Sequence, residues 1–203
     1  MLQEILFGTT NEAKVKQLQG ALAPIGVQVN GVKDKSSLPP VDEDGKTAQE
    51  NARKKAITYA KVLGKTALSM DNALYFDKLP AEEQPGLHVR RINTGSAMPT
   101  DEDLLVYYSK LIERFGKRTT GRWEFAICVA TPDGRFEEIT IISPRIFTSV
   151  SSSKTFPGYP LESMQIDPDT GKYISEMNQK EQDLFWQRVI GKPLQEFIRQ
   201  LTL

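Results

Sequence analysis

Residues 43–71 read EDGKTAQENARKKAITYAKVLGKTALSMD, and the fold is decided in this stretch. Glu43 stands just ahead of the turn pair Asp44-Gly45. Thr47 suits a helix N-cap, and Glu50 follows at the spacing of a capping box. The helix then runs to about Leu63, where Gly64 stops it. Its apolar residues are Ala52, Ala56, Tyr59, Ala60 and Leu63, which recur at helical period. Asn51 and Lys55 lie one turn apart and share a flank beside that stripe. Ala67-Leu68-Ser69-Met70 then reads as a brief strand, with Asp71-Asn72 at its end. Ligands of open α/β sheets gather at the carboxyl ends of strands. Two carboxylates and a lysine brought to such an edge suit a divalent cation and a polyphosphate.

Upstream, Ile5-Leu6-Phe7 is a short apolar run, followed by Gly8-Thr9-Thr10-Asn11 and a helical pattern with Val15, Leu18 and Leu22 inward. Strand, loop and helix in that order open an α/β domain. Thr9 and Glu12 have capping-box spacing. Lys14 places a cation in the first turn, against the helix dipole. Two readings fit it: a solvated lysine, which the local sequence favours, or a lysine facing an anion bound at the helix start. Val27-Gln28-Val29 alternates as a second strand, and Leu74-Tyr75-Phe76 reads as another after Asp71. The adjacent Arg90 and Arg91 read by default as a surface pair.

Downstream, Thr100 caps an amphipathic helix from 101 to about 115 that buries Leu104, Leu105, Tyr108, Leu111 and Ile112. Residues 123–130 form a strand, Pro132-Asp133-Gly134 a turn, and 135–142 its hairpin partner, with Phe136, Ile139 and Ile141 apolar. That hairpin makes the sheet mixed. The serine-rich residues 149–154 read as a mobile cleft edge, and 167–172 as a plain turn lacking the acid spacing of a calcium loop. Two helical pieces end the chain, 179 to about 190 and 194–201, separated by Gly191 and Pro193.

The composition, 39% hydrophobic and 26% charged, is ordinary for a globular protein, and 203 residues make one large domain or two small lobes. Lys+Arg and Asp+Glu both number 26, which argues against nucleic-acid binding by charge. One cysteine, Cys128, and one histidine, His88, leave no cysteine cluster and no His-His metal site. A catalytic metal here is therefore held by carboxylates, which favours Mg²⁺ or Mn²⁺. Residues 2–8 include Glu4 and lack a basic leader, and no apolar run approaches the roughly 20 residues of a membrane span. The expected location is the cytoplasm, with no membrane partner.

In order, the chain carries TTNEAK after its first strand, EDGKTAQENARKKA, a strand ending in an aspartate, and PGLHVRR. This series resembles the inosine/xanthosine triphosphate pyrophosphatase family, also called the Ham1 family, and the resemblance covers nearly the full chain. Thr9, Asn11 and Lys14 match that family's T-G-N-x-x-K, with Thr10 in place of its glycine. Glu43, Gly45, Thr47, Glu50, Asn51, Ala52, Lys55 and Ala56 match its second motif at unchanged spacing. Asp71 matches the second member of an acidic pair, and Pro85, Gly86 and Arg91 match a later motif. The resemblance implies a two-lobed α/β fold, a long mixed β-sheet flanked by helices with a cleft between the lobes, over residues 1–203 as a single domain. It also implies a homodimer that hydrolyses nucleoside triphosphate to monophosphate and pyrophosphate with Mg²⁺. Glu43 and Asp71 would hold the metal. Asp71 would also act on the attacking water, and Lys55 would serve catalysis. Thr9, Thr10, Asn11, Lys14, Lys55, Tyr159, Lys172 and Arg188 would bind substrate.

The departures fall mostly in one half of the site. Met70 replaces the first acid of the pair. Where the family reads G-F-G-Y-D-P, this chain has Phe156-Pro157-Gly158-Tyr159-Pro160-Leu161, so the aspartate is gone. The family's lysine, serine and histidine near the C-terminus become Gln182, Trp186 and Gln187, and only Arg188 stays. The resemblance assigns those positions to reading the purine base. The phosphate half is thus largely kept and the base half rewritten. Three readings follow: an active pyrophosphatase with altered base selectivity, a degenerate nucleotide-binding protein, or a scaffold with a vestigial cleft.

Overall fold

The computed structural model describes residues 3–9, 12–32, 38–90 and 99–203. Strand and helix alternate through the first part of the chain: β1 (Glu4–Phe7), α1 (Glu12–Leu22), β2 (Gln28–Gly31), α2 (Ala48–Leu63) and β3 (Ala67–Phe76). Then follow α3 (Asp101–Glu113), β4 (Arg118–Ala130), β5 (Phe136–Thr148), β6 (Gln165–Ile166), α4 (Gln179–Trp186) and α5 (Lys192–Gln200). The six strands form one sheet in the order β2-β1-β3-β4-β5-β6. β1 is parallel to both β2 and β3, whereas β5 and β6 are antiparallel, so the sheet is mixed as expected.

The chain divides into two compact units, and β3, β4 and β5 each contribute residues to both. The first unit comprises Met1–Asn72, Glu124–Ile141 and Asp183–Leu203. Here Ala52, Ala56 and Ala60 are fully buried, and their small side chains let α2 lie close on its neighbours. A side chain at Gly8 would overlap the Tyr59 ring, so glycine is needed where α2 meets the end of β1. The second unit comprises Ala73–Trp123 and Ile142–Gln182. Its core gathers Leu74, Phe76, Leu104, Tyr108, Ile112 and Phe147, with Phe76 and Phe147 edge to face at 4.8 Å. Thr100 and Asp103 close a complete capping box at the start of α3.

Several elements differ from the sequence reading. β3 runs unbroken, so Asp71 sits in mid-strand and residues 74–76 are its continuation. No glycine or proline lies between Met70 and Phe76 to end the strand. Phe136 points out, 39% exposed, against the Arg53 guanidinium 5.0 Å away, while Ile141 is buried. The two residues stand an odd number apart, which puts them on opposite faces of β5. Within residues 149–154, the Ser149 amide donates to Lys117 O, and the Ser152 hydroxyl donates to Glu176 Oε1 at 2.7 Å. Residues 167–172 form the expected turn, with the Gly171 amide on Asp167 O. Gly191 and Pro193 do not separate two helices. A π-helical segment, Gln187–Gly191, joins α4 to α5 with helical backbone at Gly191 and Lys192, and Pro193 falls just after it in the first turn of α5.

Candidate active site

The α2 N-terminus is built as the sequence suggested, with one difference. Thr47 Oγ1 accepts from the Glu50 amide at 3.1 Å. The Glu50 carboxylate reaches past the cap and accepts from the Lys46 amide instead. The buried Asn51 side chain accepts from the Gly45 amide at 2.8 Å, which clamps the turn after Glu43 onto the helix. A Cβ at Gly45 would stand 2.5 Å from Asn51 Oδ1, so glycine and asparagine are required together. The clamp fixes the direction from which Glu43 approaches α2.

One turn further along α2, the Lys55 ammonium collects the two acids. Its Nζ lies 3.2 Å from Glu43 Oε1 and 3.3 Å from Asp71 Oδ1. A third acceptor, the backbone carbonyl of Met70, is 3.4 Å away. The Lys55 side chain is 11% exposed, that of Asp71 20% and that of Glu43 41%, so the cluster opens toward solvent on the Glu43 side. Lys14 belongs to the same neighbourhood: burial and the Lys55 charge push its pKa down, and the Asp71 and Glu43 charges pull it up. The Glu43 charge also raises the Tyr59 hydroxyl, behind burial as the larger cause. Four residues separated by up to 57 positions therefore share one field. Asp71 lies beyond the carboxyl end of β1, because β1 pairs with β3 only as far as Phe7 opposite Leu68. The strand-end rule thus holds for β1, although not for β3.

The other candidates are placed as follows. Thr9 follows Gly8 at the end of β1, and its carbonyl accepts from the Val32 amide at 3.0 Å. Thr10, Asn11 and Arg91, and the Glu12 side chain needed for the capping box with Thr9, lie outside the described residues. Tyr159 and Lys172 belong to the second unit, and Lys172 pairs with Glu181 at 2.5 Å. Arg188 is exposed in the π-helical segment, its guanidinium 5.7 Å from the Phe185 ring centre. Trp186 packs edge to face on Phe185 at 4.9 Å and on Phe125 at 6.5 Å. Gln187 donates to Gly20 O, and Gln195 donates to both Gln187 Oε1 and Ala21 O. These two amides satisfy carbonyls that the end of α1 leaves open. No local pattern signals this role, because a π-turn and a partner 167 residues away decide it. Cys128 is buried, which pushes its thiol up to about 12 and disfavours the reactive thiolate. No described helix is long and apolar enough to cross a membrane.

Fold and cluster together define a class: a mixed-sheet α/β protein that gathers acids and lysines beyond its first strand. The chain belongs to the Ham1 family, whose pattern it matches over residues 5–196. It is 31% identical to the dITP/XTP pyrophosphatase of Exiguobacterium sp. over 180 residues, 88% of this chain and 87% of that one. It is 33% identical to the dITP/XTP pyrophosphatase of Deinococcus radiodurans over 139 residues, 68% of this chain and 64% of the relative. A HAM1 protein from Coxiella burnetii has the same fold, with a TM-score of 0.76 over 99% of this chain and 100% of that one, at 18% identity.

Proposed function

We infer that this chain is a nucleoside triphosphate pyrophosphatase that hydrolyses deaminated purine nucleoside triphosphates to the monophosphate and pyrophosphate. The observation that carries the reading is the convergence of Glu43 and Asp71, from separate elements, on the Lys55 ammonium. The similarity to dITP/XTP pyrophosphatases supports it.

A divalent cation fits the donor set. Two carboxylates stand around one cation-sized position, and among the described residues no group of three or more His, Cys, Asp or Glu forms a closed metal cage. Mg²⁺ suits such a site because it is held by one or two carboxylates, with water and substrate phosphates completing its shell. Glu43 and Asp71 are its protein ligands in this reading, and Mn²⁺ can substitute. When bound, the ion supplies charge neutralisation at the phosphate oxygens.

Asp71 orients the attacking water and takes its proton. The water oxygen bonds to the α-phosphorus, and the bond from that phosphorus to the bridging oxygen breaks, releasing pyrophosphate. Lys14 and Lys55 neutralise phosphate oxygens as point charges. Thr9, Thr10, Asn11 and the amides at the start of α1 hold the phosphate chain. Tyr159, Lys172 and Arg188 bind substrate in this reading, the protein acts as a homodimer, and its compartment is the cytoplasm. With Pro160, Gln182 and Gln187 at the base-reading positions, selectivity among purines is weak.

Pyrophosphate release measured over ordinary and deaminated triphosphates, with Mg²⁺ and with Mn²⁺, tests the reading. Turnover is expected with both ions, and inosine triphosphate should be preferred by less than about 100-fold, or about 2.7 kcal/mol. Asp71→Asn is expected to lower turnover by at least about 100-fold at unchanged circular dichroism. Full activity in that variant refutes the catalytic assignment.

A further inference from the structure

We propose that Lys55 is a resident counter-cation, holding the place between Glu43 and Asp71 that the divalent ion takes only when a triphosphate arrives. The inference rests on the reading above and adds an order of events to it.

An ammonium has three protons, and Lys55 has three acceptors around it: Glu43 Oε1 at 3.2 Å, Asp71 Oδ1 at 3.3 Å and Met70 O at 3.4 Å. Every donor is spent on the two carboxylates and the neighbouring carbonyl. Each contact is nevertheless longer than a strong charge-assisted bond, so the group is held by charge more than by tight geometry. Met70 supplies only its backbone carbonyl, so Lys55 faces two carboxylates, with Lys14 in the same field. With no third acid among the described residues in contact with Lys55, a dication entering beside the ammonium meets a like charge at contact distance. Magnesium binds oxygen at about 2.1 Å, so an ion on these carboxylates would stand close to the ammonium that holds Glu43 Oε1 and Asp71 Oδ1.

A triphosphate resolves the conflict. Its oxygens offer the lysine a new set of acceptors and bring ligands for the metal. Lys55 moves to phosphate, and the vacated carboxylates take the ion. The nucleotide-free protein therefore binds divalent metal poorly, and metal enters with the substrate.

The test is Mn²⁺ binding to the nucleotide-free full chain, read by electron paramagnetic resonance of the free ion. Wild type, Lys55→Met and Lys55→Arg are compared. Lys55→Met is expected to bind Mn²⁺ at least about ten-fold tighter than wild type, and Lys55→Arg about as weakly as wild type. Lys55→Gln, which keeps donors for the two acids, takes the same measurement if Lys55→Met loses its circular dichroism. Neutral variants that bind Mn²⁺ no tighter than wild type overturn the counter-cation. If that occurs while wild type still binds Mn²⁺ with a non-hydrolysable triphosphate, the pyrophosphatase reading stands without it. If no Mn²⁺ binds with or without that analogue, the reading of the site falls as well.

Discussion

Glu162 should make the stability of this protein depend on pH between about 4.5 and about 7, and one substitution should abolish the dependence. The residue lies on the short 3-10 helix Pro160–Met164, half-buried, with buried Pro160, Leu161, Ser163 and Met164 around it. Burial raises its carboxyl to about 7 from an ordinary 4.5, and the nearby Arg145 charge only partly opposes the shift. A raised folded-state value means that the folded protein keeps the proton after the unfolded chain has lost it. The contribution is fully present below about 4.5 and is lost as the pH rises through about 7. The full difference corresponds to about 3 kcal/mol, and residual solvent contact brings the expected loss to roughly 1–3 kcal/mol. Urea unfolding at constant ionic strength, from pH 4 to pH 8, measures it for wild type and Glu162→Gln. The glutamine stays neutral throughout. Its advantage over wild type should grow from near zero at the acid end to that amount at pH 8, with equal urea slopes. Other titrating groups cancel in the difference. Parallel stability curves would refute the assignment.

Gly191→Ala should destabilise the protein by about 1 kcal/mol despite alanine's better helix propensity, because the new methyl overlaps the Gln187 amide and breaks its bonds to Gly20 and Gln195. In a Gln187→Ala background the same change should stabilise by up to about 1 kcal/mol, and a thermal double-mutant cycle reads the reversal of sign. Thr47→Ala should cost about 1 kcal/mol and Thr47→Ser almost nothing in urea unfolding, since the bond at stake is the Glu50 amide to the residue-47 hydroxyl oxygen.

How much of this was legible in the sequence follows the range of the interaction that decided each part. The helix from Ala48 to Leu63 was legible because its cap, its apolar stripe and its stopping glycine all lie within one segment. The grouping of Glu43, Lys55 and Asp71 was legible for the same reason: 28 positions along a turn, a helix and a strand bring them together. Lys14 was not. Its local signal favoured a solvated side chain, whereas burial and the charges of Lys55, Asp71 and Glu43 now act on it. The end of β3 was misread because an aspartate and an asparagine look like a strand terminus, while Leu74 and Phe76, both buried, carry the strand onward.

The C-terminal departures from the family pattern take a different meaning once their contacts are known. Gln187 stands where the resemblance implies a base-reading histidine, yet its amide group is engaged with Gly20 and Gln195 and lies over Gly191. Gln182, at the lysine position, donates to Met177 O at 3.1 Å. Trp186, at the serine position, fills space between Phe185 and Phe125. Each replacement has acquired a bond or a packing partner inside its own unit, so none is a simple deletion of function. A side chain that anchors a π-turn to α1 is not free to follow a purine's exocyclic group without giving up the anchor. Discrimination between bases at that position would therefore work against the stability of the C-terminal segment. That conflict is in line with the weak base selectivity proposed above.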